Sequence, residues 1–124
     1  MASENNVVCK AYRANVTDSK VVEATIKQIA KDFGQLDILV ANAGIAAHYA
    51  TEDCTPEEFR MTTKVNLDGA FYSAQAAARI FKQQGHGNIL FTVSVSAVLV
   101  NVPQKQAAVS RYLPEVFKVI TDVH

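Results

Sequence analysis

Hydrophobic and polar positions change their period along the chain, and the change predicts alternating strands and helices. Residues 7–16 are rich in β-branched side chains and partly alternating, as in a strand. Residues 17–19 then offer side-chain oxygens for a helix start, and Gly34 can end that helix. Between them, apolar residues recur at helical spacing: Val22, Ile26, Ile29, Ala30 and Phe33. We therefore expect a strand followed by an amphipathic helix.

Two more strands and a long helix continue this order. Residues 36–41 are apolar enough to be buried on both faces, as in a parallel strand covered by helices. The sequence Thr55-Pro56-Glu57-Glu58 predicts a helix start with a capping box. Either one long helix, or a short helix that leads into a long one, then runs to about Gln84. Residues 85–87 break it, and residues 88–95 predict a third strand. The order β-α-β-α-β indicates an α/β fold with a parallel sheet.

Composition excludes several classes of protein. The 124 residues carry 12 basic and 12 acidic side chains and are 49% hydrophobic, so we expect one folded domain and no disorder. The sequence has no cluster of basic residues of the kind that binds nucleic acid. Its apolar stretches are much shorter than the roughly 20 residues of a membrane span. Cys9 and Cys54 fit neither a metal site nor a disulfide framework, and Cys9 is expected in the core. No metal is expected, and the predicted location is cytoplasmic.

Polar side chains follow the predicted strands where ligands bind in open α/β sheets. Asn15 comes near the end of the first strand, Asn42-Ala43-Gly44 ends the second, and Ser94 and Ser96 end the third. Because the carboxyl ends of parallel strands share one edge of the sheet, these groups should lie along one rim.

Four stretches of the chain, in the same order and with similar spacing, resemble motifs of the short-chain dehydrogenase/reductase family. They are Asn15-Val16-Thr17-Asp18, Asn42-Ala43-Gly44 after its strand, Val65-Asn66-Leu67-Asp68-Gly69, and the strand ending in Val93-Ser94-Val95-Ser96. Together they cover about residues 7–108. The resemblance implies a partial Rossmann-like, doubly wound sheet in residues 1–108, without the first βαβ unit and its Gly-rich turn, and a divergent tail in residues 109–124.

The resemblance also implies a cofactor, NADP or NAD, and a role for each matched residue. Asn15 would meet the adenine end, and Asn42-Ala43-Gly44 would form the rim beside the nucleotide. Ser96 would orient a substrate carbonyl, and Asn66 would help to hold a water that relays protons. From the residues alone, Asn15 is equally well a plain turn residue, and Ser96 and Asn66 can be read as ordinary strand-end and helix-end groups.

Residues 101–108 resemble the sorbose-reductase and mannitol-dehydrogenase branch of the family, which implies a sugar ketone or polyol as substrate. Two family features are not matched. The first is a Gly-rich turn after a strand: the glycines of Gly85-His86-Gly87 come before a predicted strand and not after one. The Tyr-x-x-x-Lys positions fall on Val109 and Leu113, and Tyr112 with Lys118 lacks the spacing to replace them. Two functions therefore stay open: a catalytically impaired part of an oxidoreductase, or a non-catalytic partner that pairs with homologues, or with itself, through the helix near residues 66–84.

Overall fold

The computed structural model of the protein describes residues 7–46 and 53–94. Its helices and strands, in chain order, are α1 (Ser19–Phe33), β1 (Ile38–Ala41), α2 (Pro56–Thr63), a π-helical turn (Lys64–Asp68), α3 (Gly69–Gln84) and β2 (Asn88–Phe91). The predicted α/β class with a parallel sheet is confirmed.

Local capping signals determine the ends of α1. The carboxylate of Asp18 accepts hydrogen bonds from the amides of Lys20 and Val21, and Gly34 ends the helix in the left-handed conformation with φ 83°. Val22 and Ile26 are buried on the inner side of α1. The predicted amphipathic helix is confirmed, although Phe33 at its last turn is exposed.

Of the two alternatives for the segment that ends at Gln84, the structure has the second: the short helix α2 leads through the π turn into the long helix α3. Thr55 and Glu58 make the capping box: the Glu58 amide donates to Thr55 Oγ1 at 3.3 Å, and the Thr55 amide donates to Glu58 Oε2 at 2.8 Å. Gly85 ends α3 with φ 81°. A π turn inserts a residue into the helical repeat, a feature frequent at functional sites.

The sheet is a parallel pair, β1 with β2, in which Ile38 lies opposite Asn88 and Val40 opposite Leu90. Burial alternates along both strands, and Ile38, Val40 and Leu90 are exposed by 57%, 55% and 55%. The expectation that residues 36–41 are buried on both faces is therefore wrong. In the described part of the chain, α3 packs against the sheet and α1 packs against α3, which leaves the opposite face open.

The core lies between the two long helices and the covered face of the sheet. Val22, Ile26 and Ala76 form its buried cluster, and half-buried apolar residues surround them: Val16, Leu36, Leu39, Tyr72 and Ile80. Ala74 and Ala77 on α3 are completely buried. Small side chains allow α3 to approach its neighbours closely.

The first predicted strand is the exception in the element order. Residues 7–16 form neither a helix nor a strand, so the first β of the β-α-β-α-β order is absent from the described residues. A strand requires a ladder of backbone hydrogen bonds to a neighbour, and β1 pairs only with β2 in this sheet. Cys9 is exposed, so its predicted place in the core is also wrong.

In residues 7–46 and 53–94, no helix has both the length and the apolar character needed to cross a membrane. The same residues contain no group of three or more His, Cys, Asp or Glu side chains that could hold a metal ion.

Candidate functional site

The segment that follows β1 forms an exposed rim at the carboxyl end of the strand. Asn42, Ala43 and Gly44 are all exposed there. The next residue, Ile45, is tied to the π turn by two hydrogen bonds: its amide donates to Asn66 Oδ1 at 2.8 Å, and Asn66 Nδ2 donates to its carbonyl oxygen at 2.9 Å. A single side-chain amide thus pairs with both the N–H and the C=O of Ile45, as a neighbouring strand would. We call this arrangement an amide bracket.

This pairing determines what the half-buried Asn66 side chain can still do. A primary amide has two N–H donors and an oxygen with two lone pairs. One donor and one lone pair are already engaged by Ile45. One donor and one lone pair are left for a water or a ligand, so the first role of the amide in this structure is to position the rim.

The side chain of Asn15 is also engaged, but within its own loop. Its Oδ1 accepts hydrogen bonds from the amide of Thr17 at 3.1 Å and from the Thr17 hydroxyl at 2.9 Å. Its carbonyl oxygen accepts from the Asp18 amide at 3.1 Å. Asn15 is therefore a turn-forming residue that leads the chain into α1, and its side-chain Nδ2 is the group still available to a ligand.

Asn15 also lines an open cleft of about 510 Å³. The cleft lies between the start of α1 and the second helical segment, as we call α2, the π turn and α3 together (residues 56–84). Its walls include Thr17, Lys20, Lys64 and Tyr72. The volume lies in the range of small-molecule sites. The sequence did not single out Lys64 or Tyr72, because neither forms a local motif and the fold alone brings them to Asn15.

The π turn connects the cleft with the rim. Lys64, its first residue, lines the cleft, and Asn66, two residues later, holds Ile45. The next helix begins at Gly69, where a Cβ would lie only 2.9 Å from Val16 Cγ2. Glycine there lets the π turn approach the loop that carries Asn15. The π turn thus holds Ile45, directly after Asn42-Ala43-Gly44, and lines the cleft that Asn15 also lines.

A second amide bracket, not predicted from sequence, holds the other end of β1. Gln84 Nε2 donates to the Leu36 carbonyl at 2.7 Å, and the Leu36 amide donates to Gln84 Oε1 at 3.0 Å. Gln84 is the last residue of α3. Through Gln84 and Asn66, the second helical segment is therefore hydrogen-bonded to the chain both before and after β1.

The third predicted part of the rim is only partly described. β2 ends at Phe91, and Ser94 lies three residues beyond it with an exposed side chain. Ser96, the predicted catalytic serine, lies outside the described residues, as do Val109 and Leu113. Their positions relative to Asn66 stay predictions.

Comparison with known proteins identifies the class of protein. The family model of the short chain dehydrogenases matches residues 2–108. This match covers most of the chain and includes the four stretches that resembled the family. The protein belongs to the short-chain dehydrogenase family.

Individual relatives agree with this assignment. A probable NADP-dependent mannitol dehydrogenase of Yarrowia lipolytica is 47% identical over 100 residues, which is 79% of this chain and 36% of the relative. A sorbose reductase of Schizosaccharomyces pombe is 38% identical over 110 residues, covering 87% of this chain and 43% of the relative. A short-chain type dehydrogenase/reductase of Mycobacterium marinum superposes with a TM-score of 0.89 at 31% identity, over 95% of this chain and 49% of that one. The chain thus spans less than half the length of these three proteins.

Proposed function

We propose that the rim after β1 is the nucleotide side of an NAD(P)-dependent oxidoreductase site, in a protein that acts on the carbonyl of a sugar or polyol-type substrate. The observation that carries the proposal is the Asn66–Ile45 bracket, which holds the exposed Asn42-Ala43-Gly44 segment at the carboxyl end of a parallel strand. Family membership and the names of the mannitol dehydrogenase and sorbose reductase relatives support the reaction and the substrate class.

The described residues fit the nucleoside part of such a cofactor. A Cβ at Gly44 would lie 3.5 Å from Asn66 Oδ1, which is an ordinary contact, so packing within the protein does not itself require glycine there. An exposed glycine backbone at a strand end allows a ligand to approach closely. The described residues do not provide the usual binding site for the cofactor's pyrophosphate, because residues 7–46 and 53–94 contain no Gly-rich turn between a strand and a helix.

Each residue has a defined part in the proposed site. Asn42, Ala43 and Gly44 would bind the nucleotide side of the cofactor, and the free Nδ2 of Asn15 would donate to its adenine end. Asn66 would hold the rim and offer its remaining lone pair and N–H to a water. Ser96 would donate its hydroxyl to the substrate carbonyl and orient it. When bound, the nicotinamide supplies the hydride that reduces the carbonyl carbon.

Nucleotide binding tests the proposal directly. We expect NADP⁺ at millimolar concentration to shift the backbone amide signals of residues 42–45, with a smaller shift at residues 15–17, in ¹⁵N-resolved NMR spectra. Millimolar binding is expected because the described residues provide only part of a nucleotide site. Nicotinamide-free AMP should shift residues 15–17 as well, which separates the adenine end from the rest. Unchanged spectra with both compounds would overturn the assignment of the rim.

The 124-residue chain by itself should show no measurable ketose reductase activity. The family's proton donor and its lysine are expected at positions that hold Val109 and Leu113, and neither side chain can transfer a proton or lower the pKa of a tyrosine. The measurement is NADPH oxidation in the presence of sorbose or fructose, followed by absorbance. Turnover that disappears in a Ser96→Ala variant would contradict this prediction.

Exposed aromatic side chains favour the pairing function as a second candidate. On α2 and α3, Phe59 is exposed by 51% and Phe71 by 39%. We propose that the helix near residues 66–84, which carries Phe71, pairs with a full-length relative or with a second copy. Sedimentation of the chain alone and with a full-length sorbose reductase tests this candidate. A chain that stays monomeric in both cases would exclude it.

A further inference from the structure

The side-chain amide of Asn15 is held in one orientation by the turn that leads into α1. Its Oδ1 accepts hydrogen bonds from the amide of Thr17 at 3.1 Å and from the Thr17 hydroxyl at 2.9 Å. A backbone N–H can only donate, so the atom that meets it is the oxygen and not the nitrogen of the asparagine amide. The Nδ2 group is therefore the part of this amide that stays available to a ligand.

This orientation uses up the acceptor of the Asn15 amide. A carbonyl oxygen has two lone pairs, and the two hydrogen bonds from Thr17 occupy both of them. The Nδ2 group carries two hydrogens, and no described residue accepts a hydrogen bond from it. Toward a ligand, Asn15 is thus a donor of hydrogen bonds and not an acceptor.

Two ammonium groups add to the donors of the cleft. Lys20 and Lys64 both line it, and neither ammonium has an ion-pair or hydrogen-bond partner among residues 7–46 and 53–94. Of the described residues that line the cleft, only Asp18 is acidic, and its Oδ1 already accepts from two backbone amides of α1. The hydroxyls of Ser19 and Tyr72 act in either direction. Two positive charges and one negative charge favour ligand groups that accept hydrogen bonds.

These donors match one kind of purine edge better than another. Asparagine commonly recognises adenine through two hydrogen bonds, one from the 6-amino group to Oδ1 and one from Nδ2 to N7. The first of these is closed at Asn15, because its Oδ1 is occupied by Thr17. A purine with a carbonyl oxygen at C6 instead presents two acceptors, O6 and N7, on the same edge, and lysine and amide N–H groups can donate to both.

We propose that Asn15 is a specificity-determining residue that selects an acceptor, and not an amino group, at position 6 of a purine base in the cleft. This preference rests on the proposed function, in which the nucleotide places its base beside Asn15. Adenine binds there through its ring nitrogens alone, whereas a 6-oxopurine gains one hydrogen bond. The contacts with Thr17 set the preference before any ligand binds, because they consume the oxygen of the amide.

Two nucleotides that differ in the base test the preference in the unmodified chain. AMP and IMP carry the same ribose and phosphate, and the 6-amino group of AMP is replaced in IMP by O6 and a hydrogen on N1. We expect the dissociation constant of IMP to be about 2–10-fold lower than that of AMP, the range that one hydrogen bond supplies. The measurement is a titration that follows the backbone amide signals of residues 15–17 in ¹⁵N-resolved NMR spectra. Equal affinities, or tighter binding of AMP, would overturn the preference and leave the proposed function standing. Unchanged signals with both nucleotides would overturn the base site and the preference together.

Asn15→Asp should reverse the order of the two nucleotides. The carboxylate keeps an oxygen for the two donors of Thr17 and puts a second acceptor where Nδ2 was, so it accepts from the 6-amino group of AMP and repels O6 of IMP. The repulsion between the added charge and the phosphate is common to both ligands and cancels in the ratio of their dissociation constants.

Gln83→Glu is the matched control. It makes the same amide-to-carboxylate change at an exposed position of α3, about 16 Å along the helix from Tyr72. The ratio of the two dissociation constants should stay as in the unmodified chain. A ratio that Asn15→Asp leaves unchanged, or that Gln83→Glu changes equally, would show that Asn15 does not contact position 6 of the base and would overturn the proposal.

Discussion

Replacing Gly87 with alanine should destabilise the protein more than any other single methyl insertion at its described glycines. Gly87 has φ 152°, and a Cβ there would overlap the ring of Phe81, whose side chain is buried. We expect a loss of about 3–5 kcal/mol in the free energy of unfolding, the sum of backbone strain and overpacking. The measurement is urea unfolding followed by far-UV circular dichroism.

Gly34→Ala is the matched control for this variant. Gly34 also has a positive φ, 83°, but a Cβ there would meet nothing within 4 Å. Its cost should be the backbone strain alone, about 1 kcal/mol. A second test adds Phe81→Leu to the Gly87→Ala variant. The smaller side chain should recover part of the lost stability, so the two changes should not be additive. Equal losses for Gly87→Ala and Gly34→Ala would show that the Phe81 ring does not constrain Gly87.

Helix ends were the features best predicted from the sequence, because capping is a local interaction. Asp18 caps the backbone two and three residues ahead, Thr55 and Glu58 cap each other, and Gly34 and Gly85 end their helices through their own φ angles. None of these interactions depends on distant parts of the chain. Residues 42–44 directly follow β1, as the predicted strand required, while their part in a ligand site stays a prediction.

Features that depend on distant partners were not predicted. Residues 7–16 have the composition of a strand, but a strand also needs a neighbour, and the described residues place side chains of α1 beside them instead. The exposure of one face of β1 likewise depends on which other elements pack against the sheet. The Asn66–Ile45 bracket joins residues 21 positions apart, and the Gln84–Leu36 bracket joins residues 48 apart. In each bracket a side-chain amide pairs with the backbone N–H and C=O of one residue. This pairing does not depend on the side chain of that residue, so the sequence contains no pattern that predicts it.

Replacing Asn66 with aspartate should release the rim. The new carboxylate can still accept from the Ile45 amide, but it has no hydrogen to donate, and one of its oxygens would face the Ile45 carbonyl now 2.9 Å from Nδ2. We expect a loss of about 2–3 kcal/mol in the free energy of unfolding at neutral pH, since a hydrogen bond becomes a repulsive contact. The response of residues 42–45 to NADP⁺ in NMR spectra should disappear. Below the pKa of the new carboxyl, its protonated form can donate, so part of the lost stability should return on acidification.

Gln84→Glu makes the same chemical change in the other bracket. Its new carboxylate would face the Leu36 carbonyl, now 2.7 Å from Nε2, so its cost in stability should be similar. The rim lies at the opposite end of β1 and keeps its bracket to Asn66, and the NADP⁺ response should therefore survive. This pair of variants separates a general loss of stability from a specific loss of the site. If both variants abolish the response, the rim depends on the whole of β1 and Asn66 has no separate positioning role. If neither variant abolishes it, residues 42–45 respond to the nucleotide without the Asn66 contact, and Asn66 does not position the rim.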